Sequence, residues 1–171
     1  MSIRSLLPLV FVGLVACSKD AAPTTAPATK QPTASIPASM RLDAAPLAAS
    51  SVIDLRKSAV DGAEVVVTGR ASKFIDTRAS FTIVDMSLKS CAELGDKTHC
   101  PTPWDYCCED LTTLTAGTTN IQVREGTEVA KGSVQGWNGL DHLKQVVVRG
   151  KLEKDDKGNL TVIANGIFVQ P

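Results

Sequence analysis

A mostly β domain is the fold class that the sequence predicts, and three observations indicate it. Segments rich in β-branched residues alternate with turn-forming residues over the C-terminal part of the chain. Two of these segments share one pattern: three valines, one further residue, then glycine and a basic residue. Aromatic residues make up only 4% of the 171 residues, so the core must be mainly aliphatic.

The predicted elements begin with a capped turn of helix at residues 51–57. The first strand, residues 64–71, is β-branched and punctuated by glycine. The second and third strands, residues 80–85 and 120–124, alternate between apolar and polar side chains. This alternation places Phe81 on the core side of the sheet.

The fourth strand, residues 145–152, repeats the pattern of the first. The glycines at the matched positions, Gly69 and Gly150, predict a bulge or a sharp bend, which is how a small sheet curves enough to close. Residues 155–159 are predicted to form a hairpin turn with glycine at its tight position, and the fifth strand follows at residues 160–169.

Five strands with a short helix before the fourth, here residues 137–144, resemble the OB-fold, a small five-stranded Greek-key barrel. The resemblance covers roughly residues 60–169. It implies that ligands bind on the face of the second and third strands, together with the loops that follow the first and fourth. A small β-sandwich is the alternative architecture for the same strands.

Residues 1–16 are predicted to be a signal peptide, because a single charge, Arg4, precedes an apolar stretch too short to span a bilayer. The stretch ends Leu-Val-Ala-Cys, which resembles the bacterial lipoprotein signal. The resemblance implies that Cys17 is acylated and becomes the first mature residue, and Ser18 after it implies the outer membrane. The alternative is an ordinary cleaved signal. Acylation of Cys17 would leave an even four of the 5 cysteines.

Residues 17–47 are predicted to be the lipidated cysteine and a disordered tether rich in Pro, Ala and Thr. The segment contains no glycine or aromatic residue and cannot bury enough apolar area to offset its ordering entropy. An extended chain of this length reaches several nanometres from the lipid surface. Residues 48–171 are the predicted domain.

An insertion between the second and third strands, residues 86–118, holds the four remaining cysteines. It is long for a loop in a compact domain. Trp104 and Tyr106 are its bulky residues, the ones most able to pack it against the barrel. Residues 102–108, Thr-Pro-Trp-Asp-Tyr-Cys-Cys, resemble a signature of secreted bacterial proteins that pair it with an OB-like domain. That family has no assigned activity, so the resemblance implies architecture and export alone.

Three hypotheses account for the thiols of Cys91, Cys100, Cys107 and Cys108. The first is two disulfides in an oxidising compartment, either 91–107 with 100–108 or 91–108 with 100–107. A bond between the neighbours Cys107 and Cys108 would strain the peptide that joins them. The second is a zinc or copper site, to which His99 would contribute. The third is redox chemistry at the adjacent Cys107 and Cys108.

Candidate binding residues lie in the loop after the first strand and in the insertion. Lys73 and Arg78 flank Phe74, an arrangement able to stack a base or a sugar ring, although an aliphatic barrel with few aromatic residues favours Phe74 in the core. Trp104 and Tyr106 are the candidates in the insertion. The predicted domain carries slightly more acidic than basic residues, so nucleic acid is not expected as a partner.

The function expected from the sequence is that of a lipid-anchored protein of the cell envelope, a non-enzymatic binding or scaffolding module for a protein or glycan partner. The chain carries no nucleophile elbow, phosphate-binding loop or zinc-protease motif, and neither an enzymatic activity nor a cofactor is expected. The first alternative is a metal-handling or thiol-redox protein that uses the cysteines. The second is an oligonucleotide-binding OB-fold.

Overall fold

The computed structural model describes residues 33–95 and 100–171. The predicted signal peptide, Cys17, the start of the tether and His99 lie outside these residues. The helices are α1 (Val52–Lys57), α2 (Cys91–Leu94) and α3 (Leu111–Gly117), and the strands are β1 (Ser50–Ser51), β2 (Glu64–Phe74), β3 (Ser80–Val84), β4 (Thr118–Gln122), β5 (Arg124–Glu125), β6 (Glu128–Val129), β7 (Gln145–Lys154) and β8 (Leu160–Val169).

The long strands close into a barrel in the order β2-β3-β4-β8-β7, with β7 paired back to β2. All neighbours in this ring are antiparallel except β4 and β8, which run parallel. The short β1 adds to β2 in parallel, outside the ring. Because the hydrogen-bond ladder returns to its starting strand, the predicted OB-like barrel is confirmed and the β-sandwich is not the architecture.

The predicted strands are all present, and β8 has its predicted bounds. β2 runs on to Phe74, because a register shift after Ala71 lets Phe74 pair with Phe81 of β3. The predicted helix at residues 137–144 is wrong in extent. Only the 3-10 turn Trp137–Gly139 forms there, since Asn138 and Gly139 have φ values of 47° and 77°, which end helical propagation.

The two matched glycines serve different purposes. Gly150 lies at a register shift between β7 and β8, the bulge that the sequence predicts, and a side chain there would collide with the Ile163 carbonyl. Gly69 has regular pairing instead. A Cβ at this position would lie 2.7 Å from the Val84 carbonyl oxygen, so glycine here permits a close approach of two strands.

The barrel interior is aliphatic, as predicted, and Phe81 lies inside it. A smaller apolar cluster joins the insertion to the barrel. Val84 of β3 packs there with Leu88 and Tyr106 of the insertion, all buried. Ile53 of α1 and Leu114 of α3 pack against the same cluster, which therefore fixes the insertion at one end of the barrel.

Residues 33–47 lie along the barrel, although the sequence places them in a solvated tether. Ala34 and Met40 are buried. The Ala34 N–H donates to the Ser133 carbonyl at 2.8 Å, and the Leu42 N–H donates to the Ile167 carbonyl at 3.0 Å. Within the described ranges, the helices are too short and too polar to cross a membrane.

Candidate functional site

The first turn of α2 places Cys91 at a fixed point of the insertion. Ser90 caps this turn, and the Glu93 side chain reaches back to accept from the Ser90 N–H and hydroxyl, both at 2.8 Å. This reciprocal capping satisfies backbone donors at the start of a turn that is too short to be stable on its own. Cys91, the first residue of this turn, is buried, with 1% of its surface exposed.

Backbone hydrogen bonds tie this turn to the segment that leads to the other cysteines. The Cys91 N–H donates to the Asp105 carbonyl at 2.8 Å, and the Ala92 N–H donates to the Pro103 carbonyl at 2.6 Å. The N–H groups at a helix start have no partner within the helix and are free to bind such carbonyls. These bonds bring the chain just before Cys107 against Cys91.

The sulfur atoms of Cys91, Cys100, Cys107 and Cys108 form a group that we call the cysteine cluster. The Sγ atom of Cys107 lies 3.2 Å from that of Cys91 and 3.5 Å from that of Cys100. The Sγ atom of Cys108 lies 4.0 Å from that of Cys91. These separations exceed the roughly 2.05 Å of a disulfide, and the cysteines of the described ranges are free thiols.

The cysteine cluster opens to solvent on one side. Cys91 is buried and Cys100 is half-buried, whereas Cys107 and Cys108 are exposed. The sulfurs of Cys91, Cys100 and Cys107 all lie within 4.8 Å of one another, close enough to bind one metal ion. The structure thus brings the predicted thiol ligands together, while His99 lies outside the described residues.

Three thiols of the cysteine cluster differ in the direction in which their pKa values are shifted. The Thr102 hydroxyl, 3.5 Å from the Cys100 sulfur, lowers the pKa of Cys100. Contacts with the sulfurs of Cys91 and Cys100 raise the pKa of Cys107 to about 12. Burial and the contact with Cys91 raise the pKa of Cys108. Several thiolates therefore form together only when a cation offsets their mutual repulsion.

Arg70 of β2 connects the barrel to the insertion. Its Nη1 atom lies 2.5 Å from Glu93 Oε1. Its Nη2 atom donates to the carbonyls of Met86, at 3.3 Å, and Leu88, and its guanidinium lies over the Tyr106 ring, 5.9 Å from the centroid. The sequence marks Arg70 only as the basic residue after Gly69, and local pattern gives no sign of partners 16 to 36 positions away.

A row of aromatic rings joins the insertion to the barrel interior. Trp104 stacks on His142 with ring centroids 4.8 Å apart, and His142 meets Phe74 edge to face at 5.0 Å. Phe74 in turn stacks on Phe81 at 5.6 Å. Burial lowers the pKa of His142. Phe74 is therefore partly a core residue, and Trp104 presents 37% of its surface to solvent.

The remaining predicted binding residues do not form one surface. The Lys73 ammonium lies 4.0 Å from the Asp105 carboxylate, beside the insertion. Arg78 pairs through a β-bridge with Lys131 and lines a different cleft. Tyr106 is buried, so its ring contacts the barrel and Arg70 rather than solvent.

A cleft of about 380 Å³ lies between the insertion and the barrel. Its floor is formed by β2 and β3, and its wall by α3. Lys73, Asp105, Cys107, Leu111, Leu114 and Thr118 are among its lining residues. The Cys107 side of the cysteine cluster is thus reached from this cleft.

Comparison of the chain with protein-family models yields no match, and comparison with curated proteins yields none either. The chemistry of the cysteine cluster and its surroundings is therefore the basis for a proposal of function.

Proposed function

We propose that this protein is a lipid-anchored protein of the bacterial envelope that binds a soft d10 metal ion, Zn(II) or Cu(I), through the cysteine cluster. The spacing of the sulfurs supports this proposal. A tetrahedral ion with metal–sulfur bonds of about 2.3 Å holds its sulfurs about 3.8 Å apart. The sulfur contacts of the cysteine cluster, at 3.2, 3.5 and 4.0 Å, bracket that value.

The donor atoms favour a soft ion over a hard one. Thiolates select Zn(II) and Cu(I), whereas Ca²⁺ and Mg²⁺ require oxygen ligands. Two described carboxylates of the insertion have other partners: Glu93 binds Arg70 and Ser90, and the Asp105 carboxylate accepts from the Tyr106 N–H at 2.8 Å. Among the described residues, the proposed ligands are therefore the sulfurs of the cysteine cluster.

Proton release accompanies metal binding in this proposal. The thiol is the resting form of Cys107, whose pKa is about 12, and a bound cation replaces its proton. Apparent metal affinity therefore increases with pH between 6 and 8. A site made of carboxylates, already ionised at pH 6, would show no such increase.

The envelope location is supported by the sequence of the first 17 residues. Acyl chains on Cys17 would hold the protein at the membrane surface, each buried methylene adding about 0.8 kcal/mol. Export would place the thiols in an oxidising compartment, where metal binding competes with disulfide formation.

Titration of the reduced protein with metal tests this function. We expect one equivalent of Zn(II) or Cu(I) to bind, and Co(II) to bind with the intense near-ultraviolet absorption of thiolate ligation. Cys91→Ser, which removes the buried ligand, should weaken binding at least 100-fold. In protein expressed without the signal peptide, so that Cys17 is not acylated, Cys17→Ser is the matched control, because it removes a cysteine that is not part of the cysteine cluster and should leave the metal affinity unchanged.

Two results would overturn the metal-binding proposal. One is a fully reduced, folded protein that takes up neither Zn(II) nor Cu(I) at micromolar concentrations. The other is Co(II) bound without any thiolate absorption, which would place the ion on oxygen ligands elsewhere in the chain.

A second candidate function, a binding or scaffolding module for a protein or glycan partner, is supported by the cleft beside the insertion. The apolar side chain of Leu111 is 79% exposed at its edge, and Lys73 adds a positive charge. Leu111→Asp and Lys73→Glu should each abolish crosslinking to such a partner in the envelope, and Arg149→Glu on β7, outside the lining of the cleft, should not. Unchanged crosslinking in both cleft variants would exclude the cleft as the binding surface.

A further inference from the structure

We infer that the cysteine cluster has one defined oxidised form, in which Cys91 is bonded to Cys108 and Cys100 to Cys107, and that closing these disulfides expels the metal ion. The choice of pairing follows from the positions of the sulfurs. The expulsion of metal rests on the proposed function, whereas the pairing does not.

The pairing is fixed by which sulfurs touch. Cys91 lies 3.2 Å from Cys107 and 4.0 Å from Cys108, and Cys100 lies 3.5 Å from Cys107, all measured between Sγ atoms. A bond from Cys107 to Cys91 would leave Cys100 and Cys108, which do not share such a contact. Cys91 also lies within 4.8 Å of Cys100, but that pair would leave the adjacent Cys107 and Cys108 to bond to each other, which strains the peptide between them. Cys91 with Cys108 and Cys100 with Cys107 is the pairing that remains, and each of its bonds joins sulfurs already within 4.0 Å.

The sulfurs need to move little to reach this form. The separations of 3.5 and 4.0 Å must shorten to about 2.05 Å, a shift that side-chain rotation supplies when the backbone is already in place. The hydrogen bonds from Cys91 and Ala92 to the facing segment keep the two backbones adjacent. We therefore expect these two hydrogen bonds in both the reduced and the oxidised forms.

The oxidant we name is an external disulfide, either a small molecule or another protein. For the first bond, the Cys100 thiolate attacks one sulfur of the external disulfide and displaces the other as a thiolate. Cys107 then loses its proton to that thiolate and attacks the Cys100 sulfur, which releases the second external sulfur as a thiolate; this thiolate takes up the proton that Cys100 lost when it ionised. Two cysteine thiols are oxidised, and one external disulfide is reduced to two thiols.

The second bond forms by the same two steps, and the exposed cysteine of the pair reacts first. Cys108 makes the mixed disulfide, because it is exposed, and the buried Cys91 resolves it from 4.0 Å. In the metal-bound cluster the four thiolates and the divalent ion react with two external disulfides. The products are two internal disulfides, four external thiolates and the free ion, so both charge and electrons balance.

Loss of the metal follows from the chemistry of its ligands. A thiolate binds a soft ion because it carries a negative charge and a free electron pair, and a disulfide sulfur lacks the charge. Each disulfide removes two ligands, so the second leaves no thiolate in the cysteine cluster. The cluster is thus a metal site whose occupancy reports the thiol–disulfide balance around it.

Pairs of substitutions test the connectivity. Because Cys107 and Cys108 are adjacent, a proteolytic peptide that carries both gives the same map for either pairing, so double variants decide the question. Each double variant of the mature protein, in detergent, is treated with oxidised glutathione. Cys91→Ser with Cys108→Ser leaves Cys100 and Cys107, and Cys100→Ser with Cys107→Ser leaves Cys91 and Cys108. We expect a disulfide to form in both. Cys91→Ser with Cys107→Ser leaves Cys100 and Cys108, which should form a disulfide at least 10-fold more slowly.

The readout is the number of free thiols against time, with intact mass to exclude mixed disulfides and dimers. The connectivity would be overturned if the disulfide formed faster in Cys91→Ser with Cys107→Ser than in the two double variants that keep a predicted pair. Equal rates for all three would overturn it as well, because the cluster would then have no preferred pairing. Circular dichroism of each reduced variant verifies that the barrel is folded before oxidation.

A metal-release experiment separates this inference from the proposed function. Protein loaded with Zn(II) is oxidised in the presence of a chromophoric chelator, and we expect about one ion to be released as the thiols disappear. Should the predicted disulfides form in a protein that never takes up metal, the connectivity stands and the proposed function fails. If Zn(II) stays bound after all thiols of the cysteine cluster are lost, the inference that disulfide formation expels the metal ion is overturned.

Discussion

Arg70 Nη1 lies 2.5 Å from Glu93 Oε1, and the other oxygen of the same carboxylate accepts from the Ser90 N–H and hydroxyl at 2.8 Å. One carboxylate thus connects β2 of the barrel to the capped turn that begins with Cys91. Burial opposes the ionised form of Glu93, but the hydrogen bonds from Arg70 and Ser90 outweigh it and hold the pKa below its usual value. The position of the buried thiol therefore depends on a charge in the barrel wall.

Replacing Arg70 by methionine should loosen the insertion while leaving the barrel folded. The variant keeps an apolar stem of similar length but removes the hydrogen bonds to Glu93 and to the carbonyls of Met86 and Leu88. We expect local opening to become easier by about 2 kcal/mol. Amide hydrogen exchange in residues 89–95 should then accelerate roughly 30-fold.

Arg149→Met is the matched control for that variant. Arg149 lies on the neighbouring strand β7, is exposed, and donates to Asn165 Oδ1 at 3.0 Å. Its loss should leave exchange in residues 89–95 unchanged. Equal acceleration in both variants, or none in either, would show that Arg70 does not hold the turn.

Asp85→Asn should lower stability in a pH-dependent way. Asp85 is 4% exposed, and its carboxylate accepts from the N–H of Ile53 at 3.0 Å and from the N–H and hydroxyl of Ser87 at 3.0 and 2.8 Å. Burial raises the pKa of Asp85, but these hydrogen bonds reverse the shift and the pKa lies below its ordinary value. The ionised carboxylate thus links α1 to the start of the insertion.

The sign of the pH dependence follows from that lowered pKa. The unfolded chain takes up a proton at about pH 3.9, before the folded chain does, so the stability due to Asp85 is complete above that pH and is lost as the pH falls towards the folded-state value. At pH 7 we expect Asp85→Asn to lower the free energy of unfolding by about 1–3 kcal/mol. Urea denaturation at pH 7 and pH 3 measures this, with the exposed Asp156→Asn as control. A deficit as large at pH 3 as at pH 7 would contradict the argument.

Local periodicity was sufficient to predict the barrel but not the insertion. The alternation of residues 80–85 and the paired valine segments depend on a period of two, which is visible in the sequence whatever surrounds it. α3 has no such signal, because its threonines favour extended structure. It forms because Asp110 caps it and because Leu114 packs against the smaller apolar cluster, a contact between distant parts of the chain.

The candidate site was predictable in composition and unpredictable in arrangement. That Cys91, Cys107 and the cysteines between and after them share one loop is evident from the sequence. Their convergence depends on backbone bonds such as that from Cys91 to Asp105, which carry no residue preference. The pairing of Arg70 with Glu93 spans 23 positions and likewise has no local signature.

Gly150→Ala should destabilise the barrel more than an ordinary strand substitution. The added methyl group would overlap the carbonyl of Ile163 in the adjacent strand, and backbone cannot move aside as a flexible side chain does. We expect a loss of about 3 kcal/mol in the free energy of unfolding. Lys151→Ala on the same strand, whose side chain is exposed, should cost well under 1 kcal/mol. Comparable losses for the two variants would argue against a tight bulge at Gly150.

Protonation of His142 should be visible in the fluorescence of Trp104. The rings stack 4.8 Å apart, and a protonated imidazole quenches an indole that it touches. A Trp137→Phe background removes the other of the 2 tryptophans, so the signal belongs to Trp104. Burial lowers the pKa of His142 although Asp141 and Asp105 both act to raise it, and we expect a quenching midpoint below the ordinary value of about 6.5.

The same titration determines how stability responds to pH near neutrality. Because the unfolded chain binds the proton at about pH 6.5 and the folded chain only at lower pH, the stability due to neutral His142 is complete above pH 6.5 and decreases as the pH falls below it. In His142→Asn, the fluorescence midpoint and this decrease should both disappear. A midpoint at or above pH 6.5 in the parent protein would mean that the carboxylates of Asp141 and Asp105 outweigh burial, and the insertion would then bind the barrel more tightly in acid rather than less.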